Sequence, residues 1–179
     1  MSKLRSRWLL LAAALCVGFA APPALAGIPG PYAAIVVQPS GAPSRTEFDL
    51  TPALNRARLE NKSLYVYLGA NDCPYCRKYE AFLEHNATEL VPHFAKQYIV
   101  VDLRSSLSAN ADLLFIRIGA SALPYADFQR SIGDQRARLL VYPSVWLFGP
   151  DAKPLMQMPA GTGTFQTVSE QLEILRLEQ

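Results

Sequence analysis

Two cysteines three positions apart, Cys73 and Cys76, lie in the stretch N-D-C-P-Y-C-R-K-Y-E, residues 71–80. Three chemistries use such a pair. It can be half of a tetrahedral zinc site, a covalent staple, or a dithiol that gives up two electrons to become a disulfide. Zinc needs four ligands, and the only other cysteine, Cys16, and the two histidines, His85 and His93, form no second pair. Both histidines read as surface residues. A staple closing so short a loop removes little unfolded-state entropy, because that gain grows with loop length. Arg77 directly after Cys76 also excludes the C-x-x-C-H haem attachment pattern. Redox chemistry remains the best use of the pair.

A reactive thiolate needs a positive environment, and the surrounding residues supply one. RKYEAFLEH after Cys76 has no helix breaker and puts Tyr79, Phe82 and Leu83 on one face, so a helix opens at the cysteines. The N–H groups and dipole of a helix N-terminus favour negative charge. Pro74 suits the first turn because it has no N–H to lose. Arg77 and Lys78 favour a Cys73 thiolate and Asp72 opposes it. Asp102 and Glu80 are the acids available to assist proton transfer, although each reads more simply as a solvated or capping residue.

The elements that must hold the pair follow from periodicity. Thr51-Pro52 reads as a helix start, Thr as cap and Pro at the first helical position, with the helix running to about Asn61. Ser63–Gly69 (SLYVYLG) is an uncharged, aromatic and β-branched run, hence a buried strand delivering Cys73. Gln97–Leu103 (QYIVVDL) is a second buried strand, Ser144–Phe148 (SVWLF) a third, and Leu155–Met158 an edge strand reached through the turn GPDAKP. Phe165, Val168, Leu172 and Leu175 form the stripe of a last helix after Gly161-Thr162-Gly163. Trp146 and Phe148 alternate with Leu147 as core residues. Strands separated by helices imply parallel crossovers, and the final hairpin implies an antiparallel edge.

The N-terminus is organised differently. Lys3, Arg5 and Arg7 precede an uncharged apolar run from Trp8 to Ala21, which contains Cys16; Pro22-Pro23 ends it, and Ala24-Leu25-Ala26 has the A-x-A form of a cleavage site. That is the layout of a Sec-type signal peptide, residues 1–26, cut after Ala26. The run is too short and too broken for a membrane span. Cleavage removes three basic residues, which turns the net charge of +2 into −1 and leaves only Cys73 and Cys76. The mature chain therefore has no basic excess for nucleic acid and works where disulfides persist, in a periplasm. Residues 27–50, rich in Pro, Gly and Ser, read as a flexible lead-in in which Tyr32–Val37 is one short strand. Residues 51–179 form the domain.

These features together resemble the exported thioredoxin-like thiol–disulfide oxidoreductases. The likeness rests on the strand YVYLGAND running into Cys73-Pro74-Tyr75-Cys76 and a helix, on Val141-Tyr142-Pro143-Ser144 before SVWLF, and on the hairpin, glycine and terminal helix that follow. It implies an α/β thioredoxin fold, a central mixed sheet flanked by helices. It also implies an exposed, attacking Cys73, a resolving Cys76, and a cis Pro143 that holds the backbone of Tyr142 beside Cys73 for an extended substrate. Pro74, Tyr75 and Tyr142 then face substrate. No cofactor is needed beyond the Cys73–Cys76 disulfide. Two departures stand out. The buried acid that thioredoxins carry six residues before the first cysteine is Tyr67 here. Cys76 to Pro143 spans 67 positions, where a minimal helix–strand–helix needs roughly 45. The extra residues fall at about 105–125, within a stretch from Arg104 to Leu140 whose pattern is mostly helical, so a helical insertion is expected before the cis-proline strand.

The implied function is electron exchange with protein thiols and disulfides, in the reductase direction, recharged by a membrane-bound electron donor or acceptor. The alternatives are a disulfide-forming oxidase, a non-catalytic binding module on the same fold, and metal handling by the two thiolates.

Overall fold

The computed structural model describes residues 26–41, 45–133, 139–158 and 167–177. The signal-peptide expectation falls on residues outside these, apart from Ala26. So do Gly161-Thr162-Gly163 and Phe165 before the last helix.

Five strands make the central sheet: β1 (Ile35–Val37), β3 (Ser63–Ala70), β4 (Tyr98–Ser105), β7 (Ser144–Phe148) and β8 (Pro154–Met158), in the order β1-β4-β3-β7-β8. β1 and β3 run parallel to β4, whereas β7 is antiparallel to β3 and β8 to β7. β3 and β4 are buried along nearly their whole length because both faces are covered by helices. On one face, Tyr65 stacks edge-on against Phe94 of α3 (Ala87–Gln97), and Tyr67 reaches α2 (Pro74–His85). On the other, Trp146 packs at 5.1 Å against Phe128 of α4 (Tyr125–Ser131). α1 (Thr51–Glu60) touches β3 and β4, and α5 (Val168–Leu177) packs on α3. No helix among the described residues is long and apolar enough to cross a membrane.

Four expectations are corrected. The region of about 105–125 is not a helical insertion. After a 3₁₀ turn at Ala111–Leu113 it forms β5 (Leu114–Ile118) and β6 (Ser121–Pro124), an antiparallel hairpin. The alternation of Leu114 and Ile116, buried, with the half-buried Phe115 and Arg117 is a period of two, which the run LLFIRI hides among consecutive apolar residues. Residues 27–50 are not a loose lead-in. They carry β1 and also β2 (Thr46–Asp49), which pairs parallel with β5 to make a second, three-stranded sheet, and Phe48 and Leu50 are fully buried. Thr51 is the first helical residue rather than the cap. Its N–H goes to Asp49 Oδ1 at 2.8 Å, and its hydroxyl accepts from Gly119 N–H at 2.9 Å, tying α1 to the hairpin. His85 is exposed, but His93 is half-buried.

Candidate active site

β3 ends at Ala70 and the chain turns through Asn71 and Asp72 to Cys73, the N-cap of α2. Its extended backbone lets Cys73 Sγ accept from Cys76 N–H at 3.1 Å, the position a serine or aspartate oxygen takes in an ordinary cap. Pro74 occupies the first helical position, where the missing N–H costs nothing. Cys76 Sγ, one turn further in, accepts from Ala70 N–H at 3.5 Å. Both cysteines are free thiols. Burial, first, and the neighbouring Cys73 sulfur push the Cys76 thiol up to about 12.

The substrate-side residues are arranged less openly than expected. Cys73 is only 2% exposed, so it is covered rather than presented. The Tyr142–Pro143 peptide bond is cis and Pro143 is buried. The Tyr142 side chain turns inward, buried, with its hydroxyl 2.6 Å from Ser105 Oγ and close enough to the two thiols to feel their charge. Burial raises its phenol to about 12. Pro74 and Tyr75 do stand at the surface, Tyr75 at 48% exposure with the Lys78 ammonium 5.5 Å over its ring. Asp72 accepts from Leu107 N–H at 2.7 Å, which anchors the turn entering the 105–125 region beside the motif. Arg77 donates to Ala70 O at 3.2 Å and pairs with Glu80 at 3.0 Å. The three charges expected to tune Cys73 thus each have a definite second partner.

Behind Cys76 lies a polar network. Tyr67 and Asp102 are register partners on β3 and β4, as are Gly69 and Arg104 two residues on, so all four share the face that α2 covers. Gly69 leaves room for the Tyr67 ring: a Cβ there would fall 2.5 Å from Tyr67 Cε1. The Tyr67 hydroxyl donates to Glu80 Oε1 at 2.9 Å and contacts the Cys76 thiol. Burial, with the charges of Cys76 and Glu80, holds Tyr67 far above the usual phenol range. Arg104 pairs with Asp102 at 2.7 Å and stands 3.5 Å from Glu80. Burial lifts Asp102 to about 6 despite Arg104 and a backbone N–H from Ile28. Glu80 and Asp102 are therefore buried network members, not solvated or capping groups. Sequence reasoning found both acids and Tyr67 separately; the alternation Y-x-G and D-x-R on adjacent parallel strands is the signal that joins them. Among the described residues no His, Cys, Asp and Glu cluster has metal-ligand geometry.

The sheet order, with two antiparallel strands on one flank and the dithiol at the start of the crossing helix, is thioredoxin-like. No family model and no curated protein matches the sequence. Among solved structures the chain is similar to a thioredoxin-fold protein from Helicobacter pylori, at 16% identity and a TM-score of 0.40, over 64% of this chain and 67% of that one. It is also similar to the exposed lipoprotein thioredoxin of Streptococcus pneumoniae, at 15% and 0.39, over 69% and 89%. A third is the first two thioredoxin domains of Saccharomyces cerevisiae Eps1p, at 15% and 0.32, over 77% and 41%.

Proposed function

We propose that this chain is a thiol–disulfide oxidoreductase acting on protein cysteines after export to the periplasm, in the reductase direction. The observation that carries this is the Cys73 sulfur acting as the N-cap acceptor of α2, with Cys76 buried one turn behind it. A cap position stabilises charge on the sulfur, and thiolate is the attacking form.

Cys73 thiolate attacks a substrate disulfide and one substrate sulfur leaves as a thiolate, which takes a proton from water. The mixed disulfide is then resolved by Cys76. Its proton passes to the Tyr67 oxygen while the Tyr67 proton moves to Glu80, because a phenol held this high relays a proton and does not ionise. Cys76 sulfur bonds to Cys73 sulfur, and the second substrate thiolate departs. The substrate has gained two electrons and the Cys73–Cys76 pair has lost them. A membrane-bound dithiol donor returns them. The direction is set by the reduction potential of the Cys73–Cys76 pair, which stabilisation of the Cys73 thiolate raises. An extended substrate segment would lie along the Tyr142–Pro143 backbone.

Cys76→Ser should accumulate mixed disulfides through Cys73 in cells, and the purified protein should reduce insulin. A potential near that of the strongest oxidants, about −120 mV, without insulin reduction, overturns the reductase direction. The near-complete burial of Cys73 favours one other reading, a binding module without turnover. That reading requires the Cys73→Ser/Cys76→Ser protein to keep its biological activity.

A further inference from the structure

A buried ionic cluster lies where β4, α2 and the first described residues meet. Asp102 and Arg104 come from β4, and Glu80 and Arg77 from α2. The backbone of Gly27 and Ile28 closes the remaining side, with Ile28 N–H donating to Asp102 Oδ2 at 2.9 Å. Gly27 is itself buried, and nothing larger fits: a Cβ there would fall 1.0 Å from Arg104 Nη2 and 2.8 Å from Asp102 Oδ2.

The cluster pairs two carboxylates with two guanidiniums, but only one of the guanidiniums is fully buried. The Asp102 and Glu80 side chains are 1% and 8% exposed, and Arg104 is 5% exposed, but Arg77 is 36% exposed. In the fully buried set two carboxylates therefore face one guanidinium. Asp102 Oδ1 is buried with no hydrogen-bond partner, a costly state for a carboxylate oxygen. The cluster borders an open cavity of about 970 Å³, lined in part by Ala26, Gly27, Arg77 and Glu84.

We propose that cleavage after Ala26 adds a second buried cation beside the unpartnered Asp102 carboxylate oxygen, and that the Gly27 α-ammonium docks against Asp102 as the processed domain folds. Hydrolysis of the Ala26–Gly27 bond consumes one water, leaves the carboxylate on Ala26, and frees an amine that takes a proton. The Gly27 nitrogen lies two covalent bonds from the Cβ point, within about 2.5 Å of it. That places it inside roughly 5.5 Å of Asp102 Oδ2, where opposite charges in a buried site attract strongly. Before cleavage that nitrogen is a neutral amide, and Arg104 and the Ile28 N–H offset only part of the burial that lifts Asp102. The requirement for glycine at 27 has the same origin, since the terminus must reach the carboxylate past Arg104. The groups facing the amine are Asp102 and Arg104 from β4 and Glu80, Arg77 and Glu84 from α2. This inference rests on the leader being cut after Ala26, and it is independent of the redox chemistry.

The test uses protein beginning at Gly27 with a free amine, the same protein N-acetylated, and Asp102→Asn beginning at Gly27, all also in the Cys73→Ser/Cys76→Ser background. An α-amine ordinarily titrates at about 7.7–8.0. NMR of ¹⁵N-labelled Gly27 should place it at least one unit higher in the free-amine protein and at the ordinary value in Asp102→Asn. A group raised on folding stabilises below its unfolded value, and that stability is lost as pH rises through the folded value. The acetylated protein should therefore melt several degrees lower at pH 7, with the gap closing in alkali. An ordinary α-amine value in the free-amine protein, or equal melting at pH 7, overturns the proposal. If Asp102→Asn does not fold, the acetylated comparison decides alone. Protein recovered after export should begin at Gly27, and any other first residue also overturns it.

Discussion

The Tyr67 hydroxyl donates to Glu80 Oε1 at 2.9 Å and interacts with the neighbouring Cys76 thiol. The tyrosine is on β3, and the acid it bonds is supplied from the next helix. Tyr67→Phe keeps the ring over Gly69 but breaks the link. Resolution of the mixed disulfide by Cys76 should slow by about 10²-fold, the lower end for a lost general acid–base group, while the first attack by Cys73 is unchanged. Single-turnover kinetics with a disulfide peptide separates the two steps. An unchanged second step would remove Tyr67 from the proton path.

Asp102 gives a pH dependence with a definite sign. Its folded value, about 6, lies above its ordinary value of 3.8. Between those values the folded state binds more protons than the unfolded one, so stability falls as pH rises from about 4 to 6. Two units correspond to about 3 kcal/mol. The slope belongs to a chain in which residue 27 is amide-linked or acetylated. Urea unfolding across that range should show it, and Asp102→Asn should flatten it. A flat profile in the acetylated protein would mean that Arg104 and the Ile28 N–H alone offset the burial.

How much of this could be read from residues depended on the range of the interaction. The motif Cys73-Pro74-Tyr75-Cys76, the strands SLYVYLG and SVWLF and the helix after Cys76 carry local periodicity and capping, and the structure has them where that pattern puts them. LLFIRI failed because a continuous apolar run fits a strand as well as a helix, and its pairing with Thr46–Asp49 is decided almost 70 positions away. Gly27 looked like part of a loose segment because its burial depends on Arg104, which no local pattern announces. The acids Glu80 and Asp102 were visible, but their pairing through Arg104 depends on strand register and on the α2 position.

Cys76 predicts a redox-dependent stability. Its folded thiol, at about 12, lies above the ordinary value of 9.0 through burial first and Cys73 second. The unfolded state therefore loses its proton first, and the reduced protein should weaken progressively above about pH 9. The oxidised protein has no such proton and should not show this loss. Melting of both forms from pH 7 to 10.5 makes the comparison. In Cys73→Ser the coupling to the first thiol disappears, so the weakening should begin at a similar pH and be somewhat shallower. Parallel profiles for the oxidised and reduced proteins would contradict the burial argument.

Tyr142 separates cover from packing. Its ring is buried beside the two thiols and its hydroxyl is bonded to Ser105 at 2.6 Å, while Cys73 is 2% exposed. Tyr142→Phe leaves the cover but strands a buried hydroxyl on Ser105, which should cost about 1–3 kcal/mol without changing Cys73 reactivity. Tyr142→Ala removes the cover, so Cys73 should alkylate faster at neutral pH, at an added cost typical of large-to-small changes in a core, about 3 kcal/mol. Iodoacetamide labelling followed by peptide mass spectrometry reads the first effect, and chemical denaturation the second. If Cys73 labels equally in both variants, something other than the Tyr142 ring shields it, and substrate need not displace that ring to reach the sulfur.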